Sequence, residues 1–510
     1  MKRALGKMVV GNILTTAAIR YRHEPAIYCS STERRFSFHD VDERVNRLAH
    51  VLLGLGFCKG DVVAFLITNR AEIVEIYFAL ARTGIVGLPL NYRLADSEIL
   101  ELMRAMSAKG LIFEAKFASV AKQAATQLKH VIQIGDTNAT FAADYETLSS
   151  EAPVHAPDVE IEDSDPFYFN LTSGTTGLPK SYVLTQYNNA SLGPMFQAFD
   201  MTRADVVMTV FPIFGRTGFA WIVGSMLYGI PNVLANFEPN EALRLIESGR
   251  VTMVNLVATT AAMMLSAQAK APRDLSTLRA ILFVGATLPG KIRDQTIAKL
   301  CPNIYEFYGM QETGALVVST PSDRKKSPES VGRVIPFAEV RVIDNSGNDV
   351  EPNVLGEVIG RSPCAVTEYF DNEEKSSETF RDGWVHTGDL GSLNEDGYLI
   401  LRGRKKDMIV TGGQNVHAAE VEEIILKHPN VAECAVFGLP DDLWGERVTS
   451  LVISKNNATI TATELHELCR QHLAGFKTPK EFIVEDGALP RTPTGKVQKF
   501  VLVQRFDRRR

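Results

Sequence analysis

Ten residues, Leu171-Thr-Ser-Gly-Thr-Thr-Gly-Leu-Pro-Lys180, bring together two glycines, four hydroxyl side chains, a proline and a lysine. Glycine lets a backbone turn tightly and press its N–H groups against a ligand, while hydroxyls and a lysine add donors around an anion. The stretch could hold phosphate. It is not a Walker loop: Gly174 and Gly177 stand too close for G-x-x-x-x-G-K-[ST], and the flanks are an aromatic run, residues 166–172, and an apolar run, residues 182–184. Both flanks read as strands, so the loop is expected to join two strands rather than a strand and a helix. On glycine and hydroxyl content alone, an ordinary flexible hairpin tip is an equally open reading.

Five further clusters follow in order: Val284-Gly-Ala-Thr-Leu-Pro289; Tyr308-Gly-Met-Gln-Glu-Thr313; Trp384-Val-His-Thr-Gly-Asp-Leu390; Gly403-Arg-Lys-Lys-Asp-Met-Ile409 with Gly412-Gly-Gln-Asn415; and Pro490-Arg-Thr-Pro-Thr-Gly-Lys496. Each is weak by itself, but the ordered set is specific. Over residues 12–504 it resembles the adenylate-forming superfamily of acyl-CoA synthetases, peptide-synthetase adenylation domains and luciferases. The resemblance implies that Thr172, Ser173, Gly174, Thr175, Thr176, Gly177 and Lys180 hold the phosphates of ATP. It implies that Gly285 and Ala286 flank the adenine, that Tyr308 stacks on it beside Gly309, and that Gln311 stands by the α-phosphate. Glu312 matches the carboxylate that binds Mg2+, a hard cation that takes oxygen ligands. Asp389, with Arg404, matches the residues that hold the ribose, and Lys496 the lysine that meets the carboxylate and α-phosphate where charge builds.

The implied reaction has two steps: a carboxylate attacks the α-phosphate of Mg-ATP to give acyl-AMP and pyrophosphate, and a thiol such as coenzyme A then attacks the acyl carbonyl. No protein nucleophile is required, so positioning and electrostatics carry the chemistry. The family fold implied is α/β: a large layered N-terminal domain, residues 1–403, of two related α/β lobes with a β-barrel-like subdomain; a hinge at 404–406; and a small α+β domain, 407–510, that swings between the steps. Lys406 matches the hinge, Gly412 and Gly413 the backbone beside the thiol tunnel, and Phe476 and Lys477 a contact to the CoA nucleotide. The acyl pocket expected from the match is lined by Phe214, Gly215, Val257, Gly285 and Met310.

Several positions depart from the family pattern. Ser181 stands for the glycine after the loop lysine, Gln186 for a histidine, Gln311 for a threonine and Gln414 for a glutamate. An amide still donates a hydrogen bond, so Gln311 does not exclude activity. Gly215 follows Phe211-Pro-Ile-Phe214 where relatives carry an aromatic or histidine, which predicts room for a bulky or extended acyl group: a medium or long chain, or a cyclic or aromatic acid. Arg216 beside Gly215 offers a cation for a second carboxylate on the acid, but the preferred reading is a helix-start arginine facing solvent. An amino-acid adenylation domain would place an aspartate near residues 211–216, and none is there. The other readings are an acyl-AMP ligase that loads a carrier protein and a catalytically impaired nucleotide binder. The joint presence of Glu312, Asp389, Arg404 and Lys496 argues against the last.

The elements that must position these residues alternate as in layered α/β proteins. Periodicity predicts helices at 45–55, 71–83 and 96–106, the last with Asp96 as its cap, and strands at 62–67 and 86–90. The alternation returns at 243–246, 253–257 and 278–284, before a helix from 291. The uncharged stretch 217–237 is broken by Gly218, Gly224, Gly229 and Pro231 and is expected to form a buried helix leading into a strand, not a membrane span. The C-terminal hundred residues predict a helix at 419–426, strands at 434–437 and 448–453, and a helix at 462–473.

The 510 residues have 45% hydrophobic and 22% charged content and a net charge of −6, so no general attraction to nucleic acid or anionic lipid is expected. Six scattered cysteines without metal-ligand spacing suggest free thiols in a reducing compartment, and cytoplasmic location is the expectation. The N-terminus reads as an amphipathic helix rather than a signal peptide. The partners expected are ATP, a small carboxylic acid and CoA, with a homodimer as the one assembly considered.

Overall fold

The computed structural model describes residues 6–136, 139–172, 180–285, 288–455, 458–491 and 497–507. The chain forms two compact units. Residues 1–326, 334–339 and 361–385 make the first; 327–333, 340–360 and 386–510 make the second.

Two sheets organise the first unit. One runs, in order, Ala143–Asp144, His130–Ile134, Gly110–Glu114, Val62–Leu66, Val86–Pro89, Pro166–Thr172 and Lys180–Thr185. Its pairings are parallel except the last, in which Pro166–Thr172 and Lys180–Thr185 form an antiparallel pair with Thr172 opposite Lys180. The glycine-rich loop therefore joins two strands, as its flanks predicted. The other sheet has nine strands. Eight belong wholly to this unit, in the order Gly314–Ser319, Ile304–Met310, Ala280–Phe283, Met253–Leu256, Val207–Thr209, Asn232–Leu234, Pro25–Cys29 and Arg34–Ser37. The strands from Ile304–Met310 to Pro25–Cys29 pair in parallel, and an antiparallel strand closes each side. Strands covered on both faces are apolar throughout rather than alternating, as in fully buried Ala280–Phe283.

The two sheets are the paired α/β lobes that the family match implied. Helix Ala71–Thr83 lies in the core with all its residues buried, and Tyr77 stacks on Phe219 at 4.0 Å while meeting Phe65, Phe167 and Tyr168 edge-on. A helix buried on every face must pair the charges it carries. Its charges are paired: Glu75 accepts from Arg44 at 2.6 Å, and Arg82 bonds Asp42. The expected helix at 96–106 forms as Asp96–Ala105 with Ile99, Leu102 and Met103 buried, but its N-cap is Ala95, not Asp96. Glu98 takes over the capping work by accepting the Ala95 N–H at 2.8 Å. Residues 243–246 fall inside helix Pro239–Gly249, and the uncharged stretch forms helix Arg216–Tyr228 and strand Asn232–Leu234. Among the described residues, no helix is long and apolar enough to cross a membrane.

A five-stranded sheet built from Glu339–Ile343, Gly356–Arg361, Trp384–Leu393, Phe380–Arg381 and Leu399–Arg404 occupies the place of the barrel-like subdomain and falls mostly in the second unit. The C-terminal segment adds the sheet Gln414–His417, Met408–Thr411, Gly445–Ser454, Val431–Asp441, Glu481–Glu485, covered by helices Ala418–Ile425, Ala462–His472 and Lys499–Asp507. The position between residues 403 and 404, read from sequence as the start of the hinge, lies inside the second unit, where Gly403 abuts Ala419.

Candidate active site

Four neighbouring parallel strands put their carboxyl ends on one edge of the nine-stranded sheet, the edge where open α/β sheets bind ligands. Phe214 and Gly215 follow Val207–Thr209, Val257 follows Met253–Leu256, Gly285 follows Ala280–Phe283, and Tyr308, Gly309 and Met310 end Ile304–Met310. Sequence placed these residues far apart; the sheet aligns them. Gly285 turns at φ +94° and lies beside Val257, 3.9 Å from where a Cβ would sit. Gly309 is required by close approach: a Cβ there would stand 2.0 Å from the Gly314 carbonyl oxygen on the paired strand. Phe214 packs edge-on against Tyr92 at 5.2 Å, and Gly215, at φ −91°, caps the next helix with only the Pro212 carbonyl oxygen, at 3.5 Å, near its open side.

The base of the glycine-rich hairpin is tied to the next candidate residues. Asn170 Nδ2 donates to the Tyr182 hydroxyl at 2.6 Å and to Gln311 Oε1 at 3.1 Å, and the Tyr182 hydroxyl donates to the Gln311 carbonyl at 2.7 Å. Burial raises the Tyr182 hydroxyl well above its ordinary range, against the pull of Arg216, so it stays a donor. Glu312 is buried, and its Oε1 accepts from the Tyr369 hydroxyl at 2.8 Å while its backbone carbonyl accepts from Val366 N at 2.9 Å. Burial and the Glu312 charge both push Tyr369 up, keeping its proton in place. Phe370 N donates to Ser181 O at 2.7 Å, which docks the same segment on the hairpin.

Two expectations change. Arg216 does not face solvent: it is 5% exposed and donates to the carbonyls of Gln311 and Cys364. Gln186, fully buried, accepts from Val10 N at 3.0 Å and donates to Ala81 O at 3.2 Å, so the family's histidine position has become a structural tie. Ser173, Gly174, Thr175, Thr176, Gly177, Ala286 and Lys496 lie outside the described residues, and Thr172 and Lys180 are described only as strand ends.

The second unit carries its own set. Asp389 is buried opposite Arg404 in an antiparallel pair, with Arg404 Nε 2.9 Å from Asp389 Oδ1. Lys406 is exposed in the single turn Lys405–Asp407, while Lys405 pairs with Glu357 at 3.0 Å. Gly412 and Gly413, both at positive φ, form a two-residue turn between Met408–Thr411 and Gln414–His417, the geometry that twist-matched hairpins demand. Trp444 covers Gly412, whose N–H donates to the Trp444 carbonyl at 2.7 Å, and Lys480 sits 5.4 Å from the indole. Lys477 is held by both oxygens of Glu420 at 2.7 and 2.8 Å, and Phe476 is partly exposed beside it.

Sequence reasoning missed Asn170, Tyr182, Tyr369 and Trp444, and placed Arg216 wrongly. Asn170 carried a signal, as the one amide in an aromatic strand; the others bear on the site only through contacts between distant segments.

A family model described as AMP-binding enzyme matches residues 14–370, and one described as AMP-binding enzyme C-terminal domain matches residues 420–496. The fatty acid–[acyl-carrier-protein] ligase ScoC of Streptomyces coeruleorubidus is 30% identical over 508 residues, 97% of this chain and 96% of that protein. The indoleacetate–CoA ligase of Aromatoleum aromaticum is 31% identical over 473 residues, 92% of each chain. The crystal structure of ATP-bound MatB from Rhodopseudomonas palustris matches with a TM-score of 0.89 at 28% identity, covering 98% of this chain and 99% of that one. Ordered motifs, paired α/β sheets and whole-length similarity thus converge, and the chain belongs to the AMP-binding enzyme family, the adenylate-forming acid–thiol ligases of acyl-CoA synthetase type.

Proposed function

We propose that the protein is an AMP-forming carboxylate–CoA ligase: a carboxylic acid and ATP give acyl-AMP and pyrophosphate, and the CoA thiol then displaces AMP to give acyl-CoA. The observation that carries this reading is the tie between the phosphate-type hairpin and the Gln311–Glu312 pair through Asn170 and Tyr182. It sets the base of that hairpin, strands Pro166–Thr172 and Lys180–Thr185, beside a buried carboxylate at the strand edge. Thr172 to Gly177 and Lys180 cradle the triphosphate, Gly285, Ala286, Tyr308 and Gly309 take the adenine, and Asp389 with Arg404 takes the ribose. Lys496 supplies positive charge at the α-phosphate during adenylation only. Gly412, Gly413, Phe476 and Lys477 serve the CoA step, with Lys406 as pivot.

Mg2+ fits the donor set. Among the described residues no cluster of three His, Cys, Asp or Glu could cage a metal, and Glu312 offers one carboxylate, the pattern of an ion held by one or two carboxylates plus substrate phosphates. When bound, the ion neutralises phosphate charge.

For the acid, the open side of Gly215 supports a bulky or extended acyl group, and the relatives' own named acids, fatty acid and indoleacetate, accord with that. A second reading, transfer to an acyl-carrier protein, is favoured by the similarity to ScoC. Six free thiols, four of them buried, accord with the reducing cytoplasm.

The test is pyrophosphate release with Mg-ATP over straight-chain, branched, aromatic and alicyclic acids, with CoA or holo-carrier protein, following thioester by mass. CoA thioester from a preferred large acid is the expected result. Carrier thioester alone selects the second reading, and silence with every acid refutes both.

A further inference from the structure

Arg216 opens helix Arg216–Tyr228 yet is 5% exposed. Two things should oppose this placement. A cation at a helix N-terminus meets the positive end of the helix dipole, and a buried cation ordinarily needs an acidic partner. No carboxylate pairs with it among the described residues; its guanidinium donates instead to the Gln311 and Cys364 carbonyls.

Those two carbonyls sit on different segments, and both segments hold Glu312. Gln311 is its neighbour in the chain, and the stretch after Cys364 supplies Val366 N to its carbonyl and the Tyr369 hydroxyl to its carboxylate. Arg216 itself sits next to Gly215 at the edge of the acyl region. One planar fork therefore joins the pocket wall, the strand end bearing the carboxylate and the segment that orients it. A lysine, with one compact ammonium, cannot reproduce a fork that spans two separate carbonyls.

We propose that Arg216 is a positioning residue that fixes Glu312 for its metal, through the Gln311 and Cys364 carbonyls rather than through contact with substrate. This rests on reading Glu312 as the carboxylate that meets Mg-ATP. Tyr182 donates to the same Gln311 carbonyl, so the two donors work on one lever.

The test compares the full-length wild type with R216K, R216M, Y182F and R216K/Y182F. Acid-dependent pyrophosphate release by the wild type comes first; if it is absent with every acid, the functional reading itself falls, whatever the variants do. With an active wild type, the readouts are half-saturating Mg2+, kcat, KM for the acid and Tm. R216K is expected to need roughly tenfold more Mg2+ and to lose roughly 10- to 100-fold in kcat, with the order of preferred acids unchanged. The double variant should lose less than the product of the single losses, because both changes release one carbonyl. The proposal is overturned if R216K keeps the wild-type Mg2+ requirement, or if the two losses multiply. It is also overturned if R216K changes only the affinity for acids bearing a second carboxylate, since Arg216 would then read the substrate. Should R216M fail to fold, R216K and Y182F carry the comparison.

Discussion

Replacing Gly309 by alanine adds one methyl group at the point where two site-bearing strands come closest. A Cβ at this position would lie 2.0 Å from the Gly314 carbonyl oxygen, 2.9 Å from its carbon and 3.0 Å from the Ala315 Cα, all backbone. Ordinary contact begins near 3.4 Å, so the opposing carbonyl must retreat by about 1.4 Å. No flexible side-chain end is available to yield. The pair is already irregular here, with its register shifting between Tyr308 and Gly309, so the strain passes along the strand to Tyr308 on one side and Gln311–Glu312 on the other. Overpacking costs about 1–3 kcal/mol, and rigid backbone on the far side puts G309A near the upper end. Displacing positioned groups by about 1 Å can cost roughly 100-fold in rate. The assays are thermal unfolding and acid-dependent pyrophosphate release, with G54A as control, because a Cβ there meets nothing within 4 Å at the end of helix Phe38–Gly54, away from the site. G309A should lose both stability and rate while G54A keeps both. A G309A protein with wild-type Tm and kcat would refute the reasoning.

Q186L should destabilise without touching catalysis: the side chain satisfies the buried Val10 N–H and Ala81 carbonyl, each worth about 1–3 kcal/mol when orphaned, and Gln186 opens the helix beyond strand Lys180–Thr185, whose five steps put it about 17 Å or more from Lys180. Denaturant unfolding should shift while KM for ATP does not. G412A forces a side chain into a backbone at φ +56° and within 2.8 Å of the Trp444 ring, so thioester formation should fall roughly tenfold or more while acyl-AMP formation persists, measured as separate half-reactions. Burial pushes the Asp205 carboxyl up, but bonds from Arg279, Thr202 N and Thr252 outweigh it and hold it below its ordinary value. A depressed carboxylate contributes stability that is full above its unfolded value near pH 4 and is lost as pH falls through the folded value. D205N should therefore lose about 2 kcal/mol at neutral pH and unfold less steeply with acid below about pH 4.

The sequence by itself determined the reaction class and the local elements. The ordered motif set resembles one enzyme family and so carried the reaction class, which the glycine-rich loop alone left open, and helix 71–83 and strand 166–172 formed where their patterns placed them. These elements are local properties, fixed by backbone preference and by which residues must be buried. What only the tertiary structure decided is which distant residues meet. Arg216 looked like a solvent-facing helix start because periodicity cannot see a partner 95 residues away; its burial exists only once the Gln311 and Cys364 carbonyls are brought to it. Gln186 looked like an altered site residue until the first helix packed over it. In each case a hydrogen bond formed with a partner that the local pattern did not reveal, and a buried polar group takes the partner that the fold supplies.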